Sequence, residues 1–191
     1  MRALGSTLVI LLLLAGLIFI GYARWTSAIV EADAAFADGH FDDAVTGYTA
    51  AEARFDSNPV FRQLAAAEHE RVVANHLMAL YRLQRYDEVI DLAQKAPPES
   101  RPHFWSGAAL FQKATVEEKP DARLAWLSRA EDEFRRAVQA SPDDWDTKYD
   151  FELTTRLAAE LRKQPKNPPN QLMQLLRPQP KAGVKPPKRV G

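Results

Sequence analysis

The chain opens with an apolar run, MRALGSTLVILLLLAGLIFIGYARW, that carries no charge from Ala3 to Ala23. Coiled as a helix at 1.5 Å per residue, that run spans roughly 31 Å, close to the hydrocarbon thickness of a bilayer. Arg2 and Arg24 bracket it, and Tyr22 and Trp25 stand where interfacial aromatics are expected. The rival reading is a cleaved signal peptide, but its apolar core is usually only about 7–15 residues. Thr26-Ser27-Ala28 is the one stretch that resembles a cleavage site. The pattern predicts a single uncleaved transmembrane helix over residues 1–24. Arg2 and the terminal amine outweigh Arg24, so the positive-inside rule weakly favours a cytoplasmic amino terminus and a body outside, which in a bacterium is the periplasm.

From Trp25 to Lys163 the pattern changes. Sustained alternation of period two is absent, glycine is scarce, and apolar residues recur at intervals of three and four among alanine, leucine, glutamate and arginine. This predicts an all-α body over 25–163. Its first helices fall near Trp25–Ala37, Glu68–Leu83 and His103–Glu117. The remaining stretch, 164–191, holds seven prolines and no acid, and predicts a basic, Pro-rich disordered tail with at most a short helical turn at Gln171–Leu176.

Three segments of the body share a register. AFADGHFDDAVTGYTAA places Gly39, Phe41, Ala44, Tyr48 and Ala51 in the same register in which LYRLQRYDEVIDLAQKA sets Tyr86, Val89, Ala93 and Ala96 against the last four, with Ile90 beside Val89; RAEDEFRRAVQASP supplies Ala130, Phe134 and Ala137 against the last three, and then Pro142. Small residues at these steps let two helices approach, an aromatic fills the gap a turn away, and a proline without an N–H ends the second helix. These residues resemble the tetratricopeptide repeat, a unit of about 34 residues made of two antiparallel helices. The resemblance implies a degenerate helical-hairpin solenoid of two or three repeats. A closing helix would start after Asp143 and Asp144, with Trp145, Tyr149 and Leu153 along one side. The departures are Pro59, which implies an extended second helix or a loop in the first unit, Pro97-Pro98 in the second, and an insertion through Lys119-Pro120 in the third.

Composition narrows the chemistry. With no cysteine, disulfides, zinc-thiolate sites and thiol nucleophiles are excluded. The formal net charge of zero hides a segregation: all 25 acids lie between Glu31 and Glu160, against 18 basic residues in 24–163, a net of −7 there, while the tail carries +6. His69 and His76 lie two turns apart, too far to chelate one ion, and the His69-Glu70 pair lacks a histidine at Val73. Read as a calcium loop, Asp144 and Asp146 are followed by Lys148, Tyr149 and Thr155 where a further oxygen ligand, glycine and glutamate are needed; a carboxylate-rich helix start is the better reading. No phosphate loop or nucleophile elbow occurs, so no catalytic residue, metal or cofactor is expected, and neither a small-molecule substrate nor nucleic acid. The candidate binding surfaces are the basic tail and the concave face made by the first helices. Polar residues available to that face are Glu31, Asp38, Glu68, His69, Arg71, Asn75, Arg82 and Lys113, with Glu68, Arg71, Asn75 and Arg82 the preferred partner contacts.

The anchor, the compact repeats and the segment SPDDWDTKYDFELTTRL together resemble the small membrane-anchored tetratricopeptide proteins that accompany MoxR-type ATPases and von Willebrand A-domain proteins in bacteria. Within that group the chain is most similar to the MxaK-type accessory proteins of methanol oxidation. Ala130, Phe134, Ala137 and Pro142 carry the likeness, followed by Asp144-Trp145-Asp146 and Lys148 to Leu153; Asp150 departs from the asparagine common in relatives. The resemblance implies an adaptor that assists maturation of periplasmic methanol dehydrogenase, an enzyme needing calcium and pyrroloquinoline quinone, without binding the metal itself. Its partners would be von Willebrand A-domain or MoxR-system proteins or the dehydrogenase. A general envelope scaffold unrelated to methanol is the alternative.

Overall fold

An uninterrupted helix needs no internal break, and between Arg2 and Ala37 there is no proline. The computed structural model, which describes residues 2–163, accordingly shows one helix α1 over Arg2–Ala37. The expected boundary between residues 24 and 25 therefore falls inside an unbroken helix. The tail at 164–191, with its expected disorder and its turn at Gln171–Leu176, lies outside the described residues. Leu11–Ala37 is long and apolar enough to cross a membrane, and Leu11 to Leu14, Leu17, Phe19 and Ile20 are all exposed around it.

The remaining helices are α2 (Phe41–Ser57), α3 (Pro59–Leu64), α4 (Ala66–Arg82), α5 (Tyr86–Ala93), α6 (Pro102–Val116), α7 (Pro120–Ala140) and α8 (Trp145–Lys163), with a short 3₁₀ turn at Pro98–Ser100. Among the described residues there is no strand. The carboxyl-terminal part of α1 pairs with α2, α4 with α5, and α6 with α7, and α8 closes the stack against α7. The turns follow from local chemistry. Gly39 takes φ of +79°, where a Cβ is penalised, and lets the His40 amide reach back to the Ala35 carbonyl at 2.8 Å. Gln84 occupies the same left-handed place at φ +60°, and the Arg85 amide returns to Leu80 at 3.0 Å.

The first hairpin buries Ile29, Ala32, Ala44, Tyr48, Ala51 and Phe55 against Val72, Leu77 and Leu80 of α4 and Val89 of α5. Leu110, Ala130 and Phe134 continue this core, and Ala114, Leu127 and Ala158 end it under α8. Two close approaches set the helix spacing. A Cβ on Gly47 would come within 2.7 Å of Ala32 Cβ, and one on Gly107 within 2.9 Å of the Phe134 ring. Tyr86 is half-buried, its ring 5.6 Å from that of Tyr81. Pro142 follows the end of α7 at Ala140, and Pro120 sits in the first turn of α7 after the insertion.

Several expectations change in detail. Trp25 does not stand free at a membrane interface: its ring packs 4.6 Å from Phe55 and 4.2 Å from Phe61, in the domain's own aromatic cluster. After α2 comes neither an extension nor a loop but α3, because Asn58 accepts the Phe61 amide at 3.0 Å as a cap and Pro59 is pre-set for a first turn. On α8 the side bearing Trp145 and Tyr149 faces solvent, while the narrow stripe of Thr147, Thr154 and Ala158 is what lies against the stack. Ala137 is buried, but in the wall of an open cleft rather than inside the hydrophobic core around Ala130.

Ala130→Trp is expected to lower the stability of the detergent-solubilised full chain by about 1–3 kcal/mol through overpacking, and Ala137→Trp, with the cleft to expand into, by less. Thermal unfolding of both variants checks this, and equal losses would contradict the placement of Ala137.

Candidate partner-binding surfaces

The first helices α1, α4, α6 and α8 line one face of the stack. At its amino-terminal end Asp33 is the hub. Its Oδ1 accepts the Tyr48 hydroxyl at 2.7 Å and the Asn75 amide at 3.2 Å, and its Oδ2 accepts Arg71 Nη1 at 2.7 Å. Arg71 turns its other donors onto Glu68, at 2.7 and 3.2 Å. Burial, and then the Asp33 carboxylate that its hydroxyl binds, push the Tyr48 phenol well above its ordinary range. Arg71 is raised as well, first by its hydrogen bond to Glu68 and then by Asp33. Three of the four residues preferred from the sequence, Glu68, Arg71 and Asn75, are thus brought together, but their polar atoms bind one another and Asp33 and tie α1 to α4. Arg82 is exposed at the end of α4. Asp33 was not among the expected residues, and its signal was its place beside Ile29, Ala32 and Phe36 on the buried stripe of α1.

Of the other polar residues, His69 packs with its ring 4.8 Å from that of Phe55 and tilted against it, and Lys113 pairs with Asp87 and lies 4.6 Å from the Trp126 ring. Glu31 and Asp38 are exposed. Three of the four histidines lie between helices, where buried His76 meets Glu52 at 2.6 Å and His103 meets Glu133 at 2.8 Å, and His40 is exposed in the α1–α2 turn. No group of three or more metal-binding side chains is gathered among the described residues.

Farther along the same face is a groove with a pit of about 120 Å³, walled by Tyr81, Ala108, Phe111 and Leu153 over Phe134. The Gln112 amide donates to the Tyr81 hydroxyl at 3.1 Å, and the buried Thr154 hydroxyl has no partner among the described residues. Asp150 lines the pit too, its carboxyl pushed up by burial and then by Asp146 and Asp144. Trp145 and Tyr149, 77% and 66% exposed, continue the groove's apolar line outward along α8. The pit, lined by Gln112, Asp150 and Thr154 as well as by apolar side chains, is small beside the roughly 300–1,000 Å³ of a typical small-molecule site.

The opposite face carries a larger cleft of about 630 Å³ between α5, α6 and α7. Its cause is a mismatch of second helices: α5 has 8 residues and α7 has 21, so much of α7 lies uncovered. α5 ends at Ala93, and Pro97-Pro98 bars its continuation past Ala96, since proline lacks the N–H and disfavours helical geometry at the residue before it. Ile90, Phe104, Leu110 and Ala137 form the apolar wall. At its edge Arg101, in the left-handed conformation at φ +58°, lies 4.3 Å from the Phe104 ring and pairs with Asp144. Asp144 Oδ1 caps α8 by accepting the Asp146 and Thr147 amides at 3.1 and 3.3 Å, and its Oδ2 takes the Thr147 hydroxyl at 2.7 Å. The Thr147 hydroxyl bond leads in holding the Asp144 carboxyl below its usual range, aided by the amides and Arg101.

Two predictions follow from these carboxylates. Asp144→Ala is expected to lower stability by about 1 kcal/mol, and Asp144→Asn by less because asparagine also caps. At Asp150 the folded pKa is raised, so the ionised form is disfavoured by folding; the penalty is present at neutral pH and is relieved as pH falls through that raised value. Asp150→Asn should therefore raise the thermal midpoint at about pH 7 and lose the advantage near pH 4. Melts of wild type and variants across that range check both.

No protein-family model matches this chain, and no curated protein matches it. Among solved structures, the NMR structure of the first TPR domain of the human RPAP3 protein is similar, with a TM-score of 0.51 and 18% identity over 72% of this chain and 97% of that domain. At that identity the likeness is one of fold, and it agrees with the hairpin geometry above: the stack from α1 to α8 is an all-α, degenerate tetratricopeptide-type solenoid.

Proposed function

We propose that this protein is a membrane-anchored adaptor, in which α1 holds the chain in a bilayer and the repeat face binds a protein partner. The observation that carries the reading is the pair Trp145 and Tyr149, largely exposed on the terminal helix beside the Tyr81–Phe111–Leu153 groove. A solenoid's last helix ordinarily offers a polar outer face, and large exposed aromatics mark an interaction site. The exposed Leu11 to Leu14, Leu17, Phe19 and Ile20 support the anchor, because water would not tolerate a helix apolar all round.

The finer reading is an assembly role at the periplasmic side of the inner membrane, in maturation of methanol dehydrogenase. It rests on the resemblance of Ala130 to Leu153 to the MxaK-type proteins. The adaptor would bring the dehydrogenase and a von Willebrand A-domain or MoxR-system component together, and others would insert the calcium.

Replacing Tyr149 by a photoreactive amino acid in cells is expected to trap a discrete protein partner, and the same replacement at exposed Thr46 on α2 is not. No adduct from Tyr149, or equal adducts from both, overturns the adaptor face. In a methanol-oxidising strain without this gene, the dehydrogenase should be present but inactive and partly restored by excess calcium. Normal activity there overturns the methanol reading alone.

A further inference from the structure

The short helix α3 presents an apolar surface that the fold does not use. Val60 and Leu64 are 69% and 81% exposed, the latter among the most exposed apolar side chains of the described residues. They lie one turn apart, about 40° around the helix from each other. Phe61, between them in sequence, is turned inward onto Trp25 and Phe55. α3 is thus held firmly on one side, with a second apolar face turned outward.

Where that face lies is fixed by the first hairpin. α2 runs back along α1, so its carboxyl end and α3 return to the level of Trp25, as the Trp25–Phe55 and Trp25–Phe61 contacts show. Trp25 is two residues beyond Ala23, where the uncharged run stops, a rise of about 3 Å. Arg54 reaches across to the same level and donates to the Trp25 carbonyl at 2.8 Å, and it shares a shallow hollow with Arg24, Phe19, Ile20 and Ala23. Asp56 on α2 is 3.1 Å from Arg62.

We infer that α3 is a second membrane contact: Val60 and Leu64 enter the boundary between headgroups and acyl chains of the same bilayer that α1 spans, and Arg24 and Arg54 meet the lipid phosphates. The inference rests on the reading of α1 as a membrane anchor and deepens it. The bilayer is favoured over a protein partner because α3 lies at the level of Trp25, where the apolar span ends, and Arg24 and Arg54 stand at that same level. A short element with an outward apolar face and neighbouring arginines is the composition that interfacial attachment requires. A single helix leaves the body free to swivel about the membrane normal and to lean; a second contact a helix diameter away removes the lean.

The absence of cysteine from the chain makes the test direct. Single variants Val60→Cys, Leu64→Cys, Leu14→Cys and His40→Cys of the full chain are labelled with an environment-sensitive fluorophore and reconstituted into vesicles of phosphatidylcholine and phosphatidylglycerol. His40, in the turn between α1 and α2 at the far end of the hairpin, reports the aqueous side. Labels at Val60 and Leu64 are expected to shift to the blue and to be quenched by lipid carrying a spin label near the headgroup, several-fold more than at His40, and the label at Leu14, near the middle of the span, is read with lipid carrying its spin label deep in the acyl chain. All four positions are on exposed or turn surfaces, so labelling leaves the core intact. Quenching at Leu14 but not at Val60 or Leu64 overturns the second contact and leaves the anchor. A blue shift at α3 without lipid quenching means protein covers the patch and also overturns it. An unquenched Leu14 overturns the anchor, and the inference with it.

Discussion

The close contact of helices at two glycines is the constraint on which this molecule depends. Gly47 against Ala32 closes the first hairpin, and Gly107 against Phe134 closes the third. At either site a side chain as small as a methyl group would meet atoms closer than van der Waals contact permits, so the partner helices would have to part. Each hairpin has too little apolar surface to be stable alone, and its exposed stripe is covered only by the next. Spacing within a hairpin therefore decides whether Tyr48, Phe55, Leu77 and Leu80 interlock across the first two units.

The second helices show what happens when one repeat is cut short. α5 ends before Pro97-Pro98, and the uncovered length of α7 becomes the wall of a cleft. The fold compensates at one edge: Arg101 adopts a left-handed backbone, stacks on Phe104 and reaches Asp144, fastening the start of α6 to the cap of α8. Such strain in a non-glycine residue persists only where its neighbours over-determine it. The polar cluster around Asp33 is the same kind of fastening at the other end, joining α1, α2 and α4 through Tyr48, Arg71 and Asn75.

Much of the architecture was legible from periodicity. Helices expected at Glu68–Leu83 and His103–Glu117 occur at Ala66–Arg82 and Pro102–Val116, since three-four spacing and punctuation by proline are local properties. What was not legible depends on contacts between distant residues. The period of α8 is plain, but nothing local says that small Thr147, Thr154 and Ala158, not Trp145 and Tyr149, form its packed side; that choice belongs to the surface of α7. Pro59 reads as a stop, yet after Asn58 it is equally a start. Arg71 and Glu68 look available to a partner because sequence separation hides Asp33, 38 residues from Arg71. The groove itself draws Tyr81, Phe111 and Leu153 from three helices, and no short motif contains them.

The unbroken helix α1 has a mechanical consequence. A helix of 36 residues is roughly 54 Å long, and under the proposed anchoring its apolar portion would take its inclination from the match between apolar length and membrane thickness. Because no hinge separates that portion from the first hairpin, the body acts as the far arm of a rigid lever. Under the proposed anchoring, a thicker or thinner bilayer would, unless α3 is held at the same surface, swing the groove through an arc and alter the height and angle at which it meets anything else there, with no change in the fold.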